Sequence, residues 1–116
     1  MEIICEIMRI KNEDIGKYAD MHLNVSREFI EEITKAGFLE LYVFMDGDVV
    51  VVISKAKSLK ETYENLGKTE IFKNWTSKVT KMLKIDNNLN LSENNVINAK
   101  CIFNLTELAD KYNLCL

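Results

Sequence analysis

His22 is the one histidine in the 116-residue chain. It lies in "KYADMHLNVSREF", within a run where Ile15, Tyr18, His22, Val25, Phe29 and Ile33 recur at spacings of three and four. That spacing puts all six on one helix face, with Tyr18 a turn before His22. An imidazole titrates near neutral pH and can carry a proton in either direction. A buried imidazole with an unmet hydrogen bond costs about 1–3 kcal/mol, so the same placement also suits a core histidine satisfied by a carbonyl or by Tyr18. The residues alone leave both roles open. Trp75 has a similar pair of readings. It shares a stripe with Phe72, Val79 and Met82, and it serves either as core packing or as a flat wall for a ring-shaped ligand. Glu6 and Glu40 stand mid-strand without an evident partner.

The elements that must position these groups follow from periodicity and punctuation. "EIICEIMRI" predicts a strand over 2–10, followed by a long helix over about 13–35 with Asn12 as N-cap and Gly37 as its stop. Its other side carries Glu13, Lys17, Asp20, Asn24, Arg27, Glu31 and Lys35 and suits solvent. Asp46-Gly47 between two β-rich runs predicts a hairpin of strands 38–45 and 48–54. Ser58 with Glu61 reads as a capping box for a short helix closed by Gly67. Thr69 opens a further helix to about Leu83. An Asn-rich loop at 86–95, a strand over 96–104 and a terminal helix capped by Asn104 or Thr106 complete the chain. This βαββαβ order predicts one α+β domain over 1–116, of ferredoxin-like type, with helices on one face of an antiparallel sheet.

Composition narrows the function. A net charge of −3 disfavours a nucleic-acid partner. The apolar run "VVVVI" at 49–53 is too short to span a membrane, and the N-terminus carries no signal-peptide pattern. Cys5, Cys101 and Cys115 lack zinc-ligand spacing, so no metal is expected. Reduced thiols in the cytoplasm are the simplest reading, with Cys5 and Cys101 as small core residues in strands. Strand 38–45 alternates Leu39, Leu41, Val43 and Met45 against Phe38, Glu40, Tyr42 and Phe44, and strand 48–54 is apolar on both faces. A sheet with one wet face should alternate more cleanly. The second face is therefore expected to be covered, by a second copy in a homodimer or by the terminal helix.

With these elements in place, the chain resembles the L-rhamnose mutarotase family from residue 2 to about residue 84, with a weaker echo in the last strand. "MRIKNEDIGKYADMH" resembles the family's opening strand and helix, in which a Tyr precedes the catalytic His by one turn; Tyr18 and His22 stand on that motif, and Glu28 falls where a Glu is usual. "AGFLELYVFMDGDVVVVI" resembles the family's Gly-started hairpin. "EIFKNWTSKVTKML" resembles its Trp-Trp segment, with Trp75 on the first Trp and Thr76 on the second. Ser26-Arg27 stand where the family has Trp-Pro, and Leu41 stands on a substrate-contacting Tyr. The resemblance implies a dimeric α+β barrel that interconverts the α and β anomers of L-rhamnose or a related sugar without a cofactor. His22 would transfer the proton, and Tyr18, Trp75, Thr76 and Leu41 would stand against the sugar. Two alternatives share the fold: another enzyme on a dimeric barrel, such as a monooxygenase, or a binding domain that has lost catalysis.

Overall fold

Two β-rich segments joined by Gly47 fold back on each other as β2 (Phe38–Asp46) and β3 (Val49–Ala56). Gly47, at φ 58°, takes the first position of a two-residue loop, Gly47-Asp48, since Asp46 already pairs with Val49. A side chain rarely adopts that backbone angle, which is why glycine stands there. The computed structural model describes residues 1–85 and 96–116. The hairpin joins β1 (Glu2–Arg9) and β4 (Val96–Ala99) in a four-stranded sheet of order β2-β3-β1-β4, antiparallel throughout. The order is ferredoxin-like, as expected. The Asn-rich loop at 86–95 lies outside the described residues.

Helices α1 (Ile15–Leu23), α2 (Arg27–Ala36), α3 (Leu59–Gly67) and α4 (Glu70–Met82) lie against one face. A central cluster of Met8, Ile10, Tyr18, Val50, Met82 and Leu83 locks α1 and α4 to the sheet. Both chain ends of this layer are clamped at one place. Ile10 bridges to Leu83, Lys11 N–H donates to the Met82 carbonyl at 2.8 Å, and Lys84 N–H donates to the Arg9 carbonyl at 2.8 Å. Lys84 Nζ also reaches Asp48 Oδ2 at 3.1 Å, and its hydrogen bond, with the nearby Arg9, holds the Asp48 carboxyl below its ordinary range.

The structure corrects several boundaries. The helix expected over 13–35 is two helices, preceded by a 3₁₀ turn at Asn12–Asp14 and broken after Leu23. Ser26 caps the second, its Oγ accepting from Phe29 N–H at 3.2 Å. Asn12 caps nothing; its Oδ1 accepts from Lys84 Nζ at 3.4 Å. The last strand stops at Ala99, and Cys101 is exposed beyond it, while Cys5 lies on the uncovered sheet face and is half-buried. Neither thiol is therefore a core residue. The irregularity between Phe38 and Glu40 adds one residue to β2, so Phe38 turns to the helix side and meets the Tyr63 ring at 5.2 Å instead of sharing a face with Tyr42. Ser58 and Thr69 cap α3 and α4 as expected, and Asn104 caps the terminal helix α5 (Leu105–Lys111).

Gly37 ends α2 at φ 118°, and a Cβ there would meet Thr62 Oγ1 at 3.0 Å. Angle and contact act together, so Gly37→Ala is expected to destabilise the fold by about 1–3 kcal/mol. A urea midpoint lower than wild type, at unchanged slope, would confirm it.

Candidate active site

Side chains directly opposite in register share a face, so the helix side of the sheet divides into rows. The row Met45, Val50, Met8, Val96 belongs to the closed core. Four residues along, Leu41, Ser54 and Ile4 form a row with Ser54 fully buried, its Oγ 3.1 Å from the Tyr63 hydroxyl of α3. Between them runs Val43, Val52, Glu6, Asn98. This middle row is the one solvent enters. Val43 is 39% exposed although it faces the helices, Asn98 is exposed, and Glu6 and Val52 are half-buried. A cleft thus opens between helices and sheet along a line with a carboxyl at its centre.

His22 belongs to the helix side of this space. Tyr18 is 3% exposed and fixed in the core; one turn on, the His22 ring lies 4.3 Å from the Tyr18 ring. His22 Nδ1 is 2.8 Å from the Tyr18 carbonyl oxygen. A carbonyl only accepts, so Nδ1 carries the hydrogen and donates. In the neutral ring the lone pair is then on Nε2, which is the atom available to a ligand. Trp75 of α4 meets the imidazole edge-on at 4.8 Å and stacks obliquely on Phe29 at 4.5 Å. These contacts hold the ring at a fixed tilt. His22 itself is half-buried, not sealed in aliphatic packing.

Burial raises the Tyr18 phenol to about 12, so it stays a neutral hydrogen-bonding group at any working pH. Burial also raises Glu6 above its ordinary 4.5. The folded state holds the Glu6 proton more tightly than the unfolded chain. That contribution to stability is present in acid below 4.5 and is lost as pH rises through the folded-state value. Tyr63 is raised by burial, drawn down by its Ser54 hydrogen bond, and pushed up again by the charge of Glu6 nearby.

The sequence-derived candidates do not all converge. Tyr18, His22 and Trp75 form one contact chain. Leu41 faces the helices in the row above the cleft, where it is half-buried beside Ser54. Thr76 is exposed on another side of α4, lining a hollow of about 530 Å³ with Phe72, Lys73 and Ser77. A second hollow of about 330 Å³ opens between Val25, Phe29 and Trp75, where α1, α2 and α4 meet. Glu6 was visible as a mid-strand carboxyl, but its place in the cleft follows only from strand register.

The family model for L-rhamnose mutarotase matches residues 3–105. The chain belongs to the L-rhamnose mutarotase family. Membership places it with isomerase-type enzymes that act on sugars. Solved structures agree on the fold. An L-rhamnose mutarotase from Formosa agariphila superposes with a TM-score of 0.63 at 16% identity, over 90% of this chain and 98% of that one. An antibiotic biosynthesis monooxygenase gives 0.60 at 17% identity, over 88% and 99%. A dimeric ferredoxin-like protein from an uncultured marine organism gives 0.55 at 12%, over 84% and 82%. At such identities these likenesses carry the fold alone. No curated protein matches the sequence.

Proposed function

We propose that the protein is a sugar mutarotase, interconverting the α and β anomers of L-rhamnose or a related sugar through proton transfer by His22. The observation that carries this reading is the Nδ1–carbonyl bond, which leaves Nε2 as a free base beside Trp75. Mutarotation needs the anomeric hydroxyl deprotonated and the ring oxygen protonated; the ring opens, the aldehyde turns, and the ring closes on its other face. Positioned acid/base groups supply typically ~10²–10⁴-fold, enough for a reaction that already proceeds unaided. Trp75 would set the sugar's apolar face, and Tyr18 orients His22 through its carbonyl. Leu41 supplies apolar contact where the family has a Tyr, and Thr76 would reach a sugar only at its far rim. Leu41 and Thr76 both favour a related sugar over L-rhamnose itself. Catalysed anomer exchange is the test.

The reading extends to a homodimer. The helix-free face carries Ile3, Tyr42 and Phe44, all exposed, with Val51 and Ile53 half-buried between them. The terminal helix does not cover them. An apolar face of this kind supports an interface, and a second copy placed face to face would close it into the barrel. Sedimentation at micromolar concentration should give twice the chain mass, and Phe44→Lys should return the monomer. A wild-type monomer would contradict the dimer. Among the described residues no helix is long and apolar enough to cross a membrane.

A further inference from the structure

The middle row of the sheet places a carboxyl on the face that the helices cover. The clamp at Ile10 and Leu83 gives a common origin for measuring along both layers. From it, α1 and β1 run side by side in opposite chain directions. Ile15 and Ile10 lie at the clamp, followed by Tyr18 and Met8 in the shared core, and then His22 and Glu6. His22 is seven residues along α1, about 10 Å at 1.5 Å per residue. Glu6 is four residues back along β1, about 13 Å at 3.3 Å per residue. Trp75 lies seven residues before Met82 on α4, at the level of His22, which its ring touches. Alternation turns Glu6 to the same face as Met8 and hence toward this space.

We propose that Glu6 is the proton-transfer partner of His22, facing it across the cleft with the sugar between them. The proposal rests on the mutarotase reading for what the pair acts on. Among the described residues Glu6 has no hydrogen-bonding or ion-pairing partner; Tyr63 is beside it and is bonded instead to Ser54. Tyr63 of α3 is near enough to feel its charge, and α1, packed over this part of the sheet, brings Tyr18 and His22 as its titratable groups on that side. Glu2, on its own strand, accepts from Leu59 N–H at 2.7 Å and is used as a cap. β2, β3 and β4 present Val43, Val52, Ser54 and Asn98 on this side, and the inward stripe of α4 presents Trp75, Val79 and Met82. Among the described residues no cation pairs with the carboxyl.

The step balances with one proton held by the pair. Nε2 of neutral His22 takes the proton from the anomeric O–H while the protonated Glu6 carboxyl gives its proton to the ring oxygen. The C1–O5 bond breaks, its electron pair goes to O5, and O1 becomes the aldehyde oxygen. After rotation about C1–C2, O5 attacks C1, its proton returns to Glu6 and His22 returns the other to O1.

Glu6→Gln keeps shape and hydrogen bonding and removes the proton chemistry. Two readouts test it. The wild-type rate of anomer exchange should be bell-shaped in pH, and the variant should lose the Glu6-dependent limb along with ~10²-fold or more of the rate. Separately, the pH profile of the His22 Cε1–H resonance, followed by NMR without sugar, should shift in the variant, because two groups that share one proton titrate together. Glu6→Asp should restore part of both. Wild type that fails to speed exchange, with a shifted His22 titration, overturns the mutarotase reading and leaves the pair. Active wild type with an unchanged variant profile and an unshifted titration overturns the pair alone.

Discussion

His22→Ala is expected to lower anomer exchange by roughly 10²–10⁴-fold while leaving the fold intact. The ring is half-buried and its single hydrogen bond runs to a carbonyl of its own helix, which remains in the helical ladder when the ring is gone. Its packing against Tyr18 and Trp75 is lost, but Tyr18 stays anchored by the central cluster. His22→Gln discriminates further. An amide can keep the bond to the Tyr18 carbonyl yet cannot cycle a proton, so it should be as inactive as Ala with near wild-type stability. If Gln instead restores the rate, the imidazole acts only as a structural hydrogen-bonding group. The activity of each variant should be read beside a urea curve, because a loss of both together would point to packing.

Trp75→Ala should have the largest effect on stability. The indole joins three elements, touching His22 of α1 at 4.8 Å and Phe29 of α2 at 4.5 Å from its own place on α4. Phe29 is buried at 6% exposure and would lose the ring that covers it. Trp-to-Ala changes in cores cost about 3–5 kcal/mol; Trp75 is half-buried, so about 3 kcal/mol is expected. That is a large share of the roughly 5–15 kcal/mol that stabilises a domain. Trp75→Phe keeps most of the packing, and should hold the fold while weakening sugar binding, seen as a raised KM. A Trp75→Ala protein as stable as wild type would show that α1, α2 and α4 do not depend on this ring.

The features carried by short-range chemistry were legible in the sequence. Gly47 between β-rich runs, Ser58 before Glu61, and Gly37 after a helical stripe each have a local physical meaning; the two caps stand where they were read, and the turn lies one residue on, at Gly47-Asp48 instead of Asp46-Gly47. The break after Leu23 was hidden because the apolar spacing of three and four runs on from His22 to Val25 and Phe29, across the gap. Ser26 was its one local signal, as an N-cap with Glu28 in the first turn. The family's Trp-Pro falls on Ser26-Arg27, and Arg27 is the first residue of α2, the position proline favours. The turn of Phe38 to the helix side was invisible to alternation, because one extra residue in a strand reverses every face before it. In the candidate site, the chain of Tyr18, His22 and Trp75 could be anticipated from two stripes. The row holding Glu6 could not, since it needs the register of four strands at once.

The central claim is tested most directly by following anomer exchange at equilibrium. Saturation transfer between the α and β anomeric proton resonances of L-rhamnose, and in turn of other deoxyhexoses, hexoses and pentoses, in the presence of the purified protein, reads the rate with no net reaction required. Wild type should raise the exchange rate of at least one of these sugars in proportion to protein concentration, and His22→Ala should bring it back close to the unassisted rate. If wild type leaves exchange at the unassisted rate for deoxyhexoses, hexoses and pentoses alike, the protein is not a mutarotase.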